Sequence, residues 1–327
     1  MRRPASTLGV LFAAGLVVAG CGAPSSDDQS ADGTVASAQA VLAVGTTTML
    51  GDVVGDIMGC ANGTADTLMP VGADPHDFSA SSEQVAALVD ADLVVANGLG
   101  LEEGLADALE GAEADGATVM EVAPLVDPIE FAAGGRSDEE HAEGEEHADE
   151  HGSMDPHFWH DAARMAQAAQ LIGAELAEVT DDDAYATCGT EVHDALMQTH
   201  EQVRDILAAV PAGTRVLVTD HDAFGYFAQA YDFEVAGVVI PGGSTLAEPS
   251  SAELAELVEV IEAEGVPAIF SNTAVSSALV DAVAAEAGNQ VEVVELFVGS
   301  LGPQGSGADT YAGMVTTNAQ RIADALS

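Results

Sequence analysis

Three histidines of this chain stand in three separate motifs whose residue types point to metal coordination. His76 lies in Gly72-Ala73-Asp74-Pro75-His76-Asp77-Phe78, and His157 lies in Asp155-Pro156-His157-Phe158-Trp159. His221 lies in Thr219-Asp220-His221-Asp222-Ala223-Phe224-Gly225-Tyr226-Phe227. Neutral imidazole is the commonest side-chain ligand for zinc. Pro75 and Pro156 fix the backbone beside their histidines and so limit ligand wandering. Asp74, Asp77, Asp155, Asp220 and Asp222 are candidate acceptors for the ring nitrogen that a ligating imidazole leaves free. Phe78, Phe158, Trp159, Phe224, Tyr226 and Phe227 would wall the site, or simply belong to the core. Between the first two motifs runs an acidic tract, 137–153, in which His141, His147 and His151 stand among eight Asp and Glu. These three are auxiliary metal ligands in a segment whose like charges oppose folding, so it is expected to be mobile and to collect zinc weakly. The bland alternative is a solvated acidic insertion without a role. His193 and His200 fall on a helix, and His160 enters one at Asp161; none of the three is placed in the metal set.

A frame must bring these motifs together. Strands are expected at 41–47, 66–69, 93–96 and 118–122, with helices at 50–58, 82–89 and 101–109. The second half repeats the scheme, with strands at 215–219, 234–239, 268–271 and 291–297 and helices at 223–230, 252–264, 277–287 and 311–326. Such alternation implies mostly parallel sheets. Helices at 161–178 and 183–209 lie between the halves. The second carries Val192, Leu196, Val203 and Leu207 at helical spacing and ends at Pro211 and Gly213. The fold class is therefore α/β, two similar β/α lobes joined by a long connector helix. His76 follows the second strand after a short loop, and His221 directly follows 215–219. Ligands of open α/β sheets bind beyond the carboxyl ends of strands, so two facing lobes would put the metal site in the cleft between them.

The amino terminus reads as an export signal. Arg2 and Arg3 precede an apolar run at 8–18 that is too short for a permanent span. It ends in Val18-Ala19-Gly20-Cys21, which resembles a bacterial lipobox, so Cys21 is the expected lipid attachment site. The alternative is an ordinary secretory peptide with an incidental cysteine. Residues 1–20 are then a lipoprotein signal peptide and 21–40 a disordered tether. The first lobe is expected over 41–181 with the acidic loop inside it, the connector over 182–210 and the second lobe over 211–327. The protein is placed outside the cytoplasm, anchored to the cell membrane. Oxidising conditions there favour a disulfide between the remaining pair, Cys60 and Cys188, over two buried thiols.

The chain contains no lysine. Of its 7 basic residues two leave with the signal, so 5 Arg face 55 Asp and Glu, a net charge of −50. Such a surface is a poor partner for nucleic acid and a good one for cations. A solvated surface suited to a salt-rich habitat explains most of this charge.

With these motifs the chain resembles the ZnuA/TroA-like substrate-binding proteins of metal-importing ABC transporters. The likeness spans about 41–327. It also rests on 91–99 (Ala-Asp-Leu-Val-Val-Ala-Asn-Gly-Leu), Ala247-Glu248-Pro249-Ser250 and Ser300-Leu301-Gly302-Pro303. The resemblance implies that His76, His157 and His221 are metal ligands, and that a membrane permease is the partner of a monomeric, non-catalytic binding protein. It also implies zinc ahead of manganese, since histidine at position 221 goes with zinc in the family and glutamate with manganese. The physics agrees, because manganese prefers more oxygen. Where the family often has an aspartate ligand this chain has Gly299, which leaves the fourth ligand open among water, a side chain of the 137–153 loop and, less favoured, Glu295 or Asp309. Three histidines with an open position also describe a catalytic zinc site, so a zinc-dependent hydrolase is one alternative, although no His-Glu-x-x-His helix is present. A surface adhesin or zinc store is the other.

Overall fold

The computed structural model describes residues 41–131, 154–288 and 291–327. The leader with Cys21, the tether, and the 137–153 loop with His141, His147 and His151 lie outside the described residues.

The chain runs β1 (Leu42–Gly45), α1 (Thr48–Cys60), β2 (Thr64–Thr67), α2 (Ser82–Asp90), β3 (Leu93–Ala96), α3 (Ala106–Ala114) and β4 (Val119–Glu121). Then come α4 (Ala162–Thr180) and α5 (Ala184–Leu207). The second half is β5 (Val216–Thr219), α6 (Gly225–Tyr231), β6 (Glu234–Val238), α7 (Ser251–Glu264), β7 (Ala268–Asn272), α8 (Ala278–Ala287), β8 (Glu292–Leu296) and α9 (Tyr311–Leu326). The first sheet has the order β2-β1-β3-β4 and the second β6-β5-β7-β8, the same crossover pattern used twice. Every pairing between these strands is parallel. β3 and β7 are buried along their whole length, as inner strands covered on both faces must be.

Some element bounds differ from the sequence expectation for local reasons. The second strand occupies Thr64–Thr67, not 66–69, because register with β1 pairs Leu42 with Thr64 and Gly45 with Thr67. Leu68 and Met69 continue the ladder through bonds to Gly45 and Thr46 carbonyls, but as the start of the turn that carries His76. The expected helix at 101–109 begins later. Glu103–Leu105 form one tight 3₁₀ turn before α3, and Glu102 is buried in the loop ahead of it.

α5 is not a free-standing rod. It packs along α4 at a crossing where a Cβ on Gly173 would lie 2.7 Å from both Gly189 Cα and Tyr185 O, so both positions need glycine. It also packs on α1 and α9. One continuous core joins α1, α4, α5, α6 and α9 under both sheets, and each sheet has a smaller satellite cluster on its outer face. Cys60 at the end of α1 is bonded to Cys188 on α5, with their Cα atoms 5.9 Å apart. No helix among the described residues is long and apolar enough to cross a membrane.

Candidate metal centre

The His157 segment is built first, because both lobes hold it. It precedes α4, whose first turn is capped by the Asp161 side chain. Asp155 Oδ1 accepts both the His157 backbone N–H (2.9 Å) and its ring Nδ1–H (2.7 Å). From the first lobe, Asn97 at the end of β3 donates its side-chain N–H to Pro156 O (3.0 Å). From the second, the Tyr226 hydroxyl donates to Asp155 O (2.8 Å), and Trp159 Nε1–H reaches across to Val298 O (2.9 Å). Asn97 is itself fixed by buried Glu102, which accepts the Asn97 and Gly98 backbone N–H groups and the Thr46 hydroxyl. Glu102 therefore ties the ends of β1 and β3 into one piece beneath the site.

His76 lies in the turn after β2. Asp74 Oδ1 accepts the His76 backbone N–H (3.1 Å), and its other oxygen accepts the Thr245 hydroxyl from the opposite lobe. His221 stands directly beyond β5, with its Nδ1–H donated to Asp220 Oδ2 (3.0 Å). Nδ1 protonation at His157 and His221 leaves the Nε2 lone pairs pointing inward.

Those inward nitrogens converge. His157 Nε2 lies 3.3 Å from His76 Nε2 and 3.3 Å from His221 Nε2. One nitrogen from each of the three rings lies within 4.8 Å of the other two. All three residues are buried, at 8%, 1% and 1% exposure for His76, His157 and His221. Two ligands bonded at ~2.0 Å to a tetrahedral ion are about 3.3 Å apart, so this spacing matches the edge of a tetrahedral coordination sphere. Ring nitrogens this close need a shared proton or a cation between them.

The description "ZnuA: Zinc-uptake complex component A periplasmic" matches residues 43–325. The chain belongs to the ZnuA family. It is 33% identical over 316 residues to the zinc-binding protein TroA of Treponema pallidum, covering 92% of each chain. It is 26% identical over 320 residues to the manganese-binding lipoprotein MntA of Halalkalibacterium halodurans, covering 97% of each. The solved periplasmic zinc-binding protein TroA from Treponema pallidum superposes with a TM-score of 0.74 at 30% identity, over 88% of this chain and 100% of that one.

In this ZnuA-family site, burial and charge shape the protonation states. Burial first, and then the neighbouring histidines, push the His157 ring well below the ordinary histidine range, so it is neutral and able to coordinate. For His221 burial pulls the same way, but the carboxylates of Asp220, Asp74 and Asp155 together outweigh it and the net shift is upward. Burial raises Asp155 to about 8 and Asp222 to about 6 when no cation is present.

The aspartates expected around the site divide into four kinds. Asp155 and Asp220 hold ring nitrogens, and Asp74 holds the His76 backbone. Asp77 is a correction: its side chain is exposed, and its contribution to the turn is a backbone N–H bond to Asp74 O. Asp222 is buried with no hydrogen-bond partner on either oxygen. Glu295 and Asp309 are both exposed. Gly299 lies against the His76 turn, where a Cβ would be 2.9 Å from Pro75 Cδ. His160 stacks on Phe224, with ring centroids 4.6 Å apart, and burial lowers it to about 3. His200 faces Tyr231, and His193 pairs with Asp194 at the surface. Sequence reasoning missed Asn97, Glu102 and the hydroxyl role of Tyr226, since nothing in the local pattern of Glu102 distinguishes it from a solvated acid.

Proposed function

We propose that this chain captures zinc between its two lobes and hands it to the membrane permease of an ABC transporter. One observation carries the reading: three buried imidazole nitrogens converge at the spacing of a tetrahedral zinc site, with no Asp, Glu or Cys in the cluster among the described residues. An all-nitrogen set suits zinc, whereas manganese favours more oxygen. The family's members are substrate-binding proteins of transporters, which favours capture and release over turnover. Relatives bear both zinc and manganese in their names, so the preference for zinc rests on the ligand set. In this reading His76, His157 and His221 are the ligands. Cys21 carries the lipid that holds a monomer at the outer face of the cell membrane, and the bridge between Cys60 and Cys188 forms in that oxidising compartment. The 137–153 loop, with His141, His147 and His151, gathers zinc weakly ahead of the cleft.

Two experiments test this. Competition titration of the mature protein should give one tight zinc per chain and far weaker manganese. A deletion strain should fail to grow under zinc limitation and be rescued by the intact gene but not by one encoding His157→Ala. Tight manganese binding with weak zinc would reverse the assignment.

A further inference from the structure

Two of the histidine turns carry the same tripeptide, Asp-Pro-His, and use its aspartate differently. In both, one oxygen accepts the histidine backbone N–H, at 3.1 Å from His76 to Asp74 and 2.9 Å from His157 to Asp155. The other oxygen separates them. Asp155 Oδ2 has no partner, whereas Asp74 Oδ2 accepts the Thr245 hydroxyl (2.5 Å).

Thr245 belongs to the second lobe and stands near the tip of a short strap, 240–246, between β6 and α7. The root of that strap is fastened to the His221 turn. Ile240 N–H donates to Asp220 O (2.7 Å), and Asp222 N–H donates to Gly242 O (3.1 Å). Gly242 makes the bend at φ 81°, a conformation that glycine adopts without strain. A side chain at Gly243 would collide with the Phe131 ring, so the strap is also seated against the first lobe there. Leu246, just beyond Thr245, is 54% exposed and adds little packing to hold the tip. The tip is held by the Thr245–Asp74 bond, and a hydroxyl on a carboxylate is among the stronger hydrogen bonds.

The strap thus joins the His221 turn of one lobe to the His76 turn of the other. A metal gripped by both histidines leaves when the two turns part, and they cannot part while the strap holds. Ser300 also reaches the His76 turn, through the Gly72 N–H (2.8 Å), but from a segment that holds none of the three histidines. We propose that Thr245 is a release latch: its bond to Asp74 sets the rate at which metal enters and leaves the three-histidine centre. The proposal rests on the zinc-capture reading. Thr245 is a positioning residue, since it acts on the His76 turn through Asp74.

Stopped-flow release of zinc from the mature protein into an excess of chromogenic chelator tests this. Thr245→Val keeps the shape of the side chain and removes the hydroxyl. It should release zinc about tenfold faster than wild type, the effect of losing one hydrogen bond to a charged group. Thr245→Ala should match it, and Thr245→Ser, which keeps the hydroxyl, should release zinc as wild type does. Affinity, from competition titration, should fall by less than the release rate rises, because easier opening also speeds entry. Once Asp74→Ala has removed the acceptor, adding Thr245→Val should change the release rate no further. Release at the wild-type rate from Thr245→Val and Thr245→Ala overturns the proposal. So does an affinity loss equal to the rate increase, which would make Thr245 a support for His76 and not a latch. An undiminished effect of Thr245→Val in the Asp74→Ala background overturns it as well. Failure of wild type to bind one zinc per chain, or tight binding that survives His157→Ala, would instead contradict the zinc-capture reading.

Discussion

At the carboxyl end of the first sheet, β1 and β3 are tied together by a buried carboxylate. Glu102 takes the Thr46 hydroxyl and the Asn97 and Gly98 N–H groups, and Asn97 passes this rigidity on to Pro156 beside His157. At the matching end of the second sheet, β5 and β7 run out into Asp220, Asp222, Ser271 and Asn272, each of which keeps a buried polar atom without a protein partner. On the first sheet's side, among the described residues, only Asn97 Oδ1 and Asp155 Oδ2 are in that state. Two sheets of one strand order thus meet the same site differently. One frames His76 and His157 on a nearly closed hydrogen-bond network, and the other supplies His221 together with unpaired polar atoms. Buried groups left unpaired cost stability, so this half is where function is retained at the expense of folding energy.

The largest expected effect comes from the three histidines proposed as ligands. Apparent zinc binding energies of about 10–16 kcal/mol spread over four ligands imply a loss of roughly two to three orders of magnitude in affinity for each of His76→Ala, His157→Ala and His221→Ala. Competition with a chelator of known affinity measures this, and an unchanged affinity would remove that residue from the site.

Next comes pH. Without a cation, burial holds Asp155 near 8, and the neighbouring carboxylates raise His221, so both keep their protons to higher pH than ordinary groups of their kind, and an entering cation competes with those protons. His157 is already neutral and contributes little. Lowering the pH adds competing protons, so affinity falls as pH drops, by up to about tenfold per unit for each proton displaced. Calorimetry in two buffers of different ionisation enthalpy should show net proton release at pH 7. Net uptake, or none, would contradict the assignment.

Smaller effects separate the two sheet ends. Asp155→Ala and Asp220→Ala each free a ligand ring and should weaken zinc by about 10–100-fold. Asp155→Ala is expected to be the worse, since Asp155 also holds the His157 backbone. Glu102→Ala should act on folding more than on the metal. It leaves buried donors at Thr46, Asn97 and Gly98 unmatched and should cost roughly 2–4 kcal/mol. Thermal unfolding of the metal-free protein checks this; a Tm loss no larger than that of Asn272→Leu would erase the contrast between the two ends.

Much of this was legible in the sequence, for reasons tied to particular residues. The buried apolar runs of β3 and β7 and the capped start of α7 at Ser250 fix their elements locally. The three histidine motifs carry aspartate and aromatic neighbours, and those of His76 and His157 carry proline as well, which marks them out one by one. Glu102 was not legible. Its role depends on which strand ends the fold brings together. The position of β2 was displaced because an edge strand with alternating half-buried residues carries a weak signal, and the apolar pair Leu68–Met69 lies just beyond it.

The most direct test of the central claim is anomalous diffraction at the zinc edge from zinc-soaked crystals of the mature protein. The account predicts one strong peak about 2 Å from the Nε2 atoms of His76, His157 and His221 together. A strong peak elsewhere, or one bonded to fewer than these three nitrogens, would contradict it.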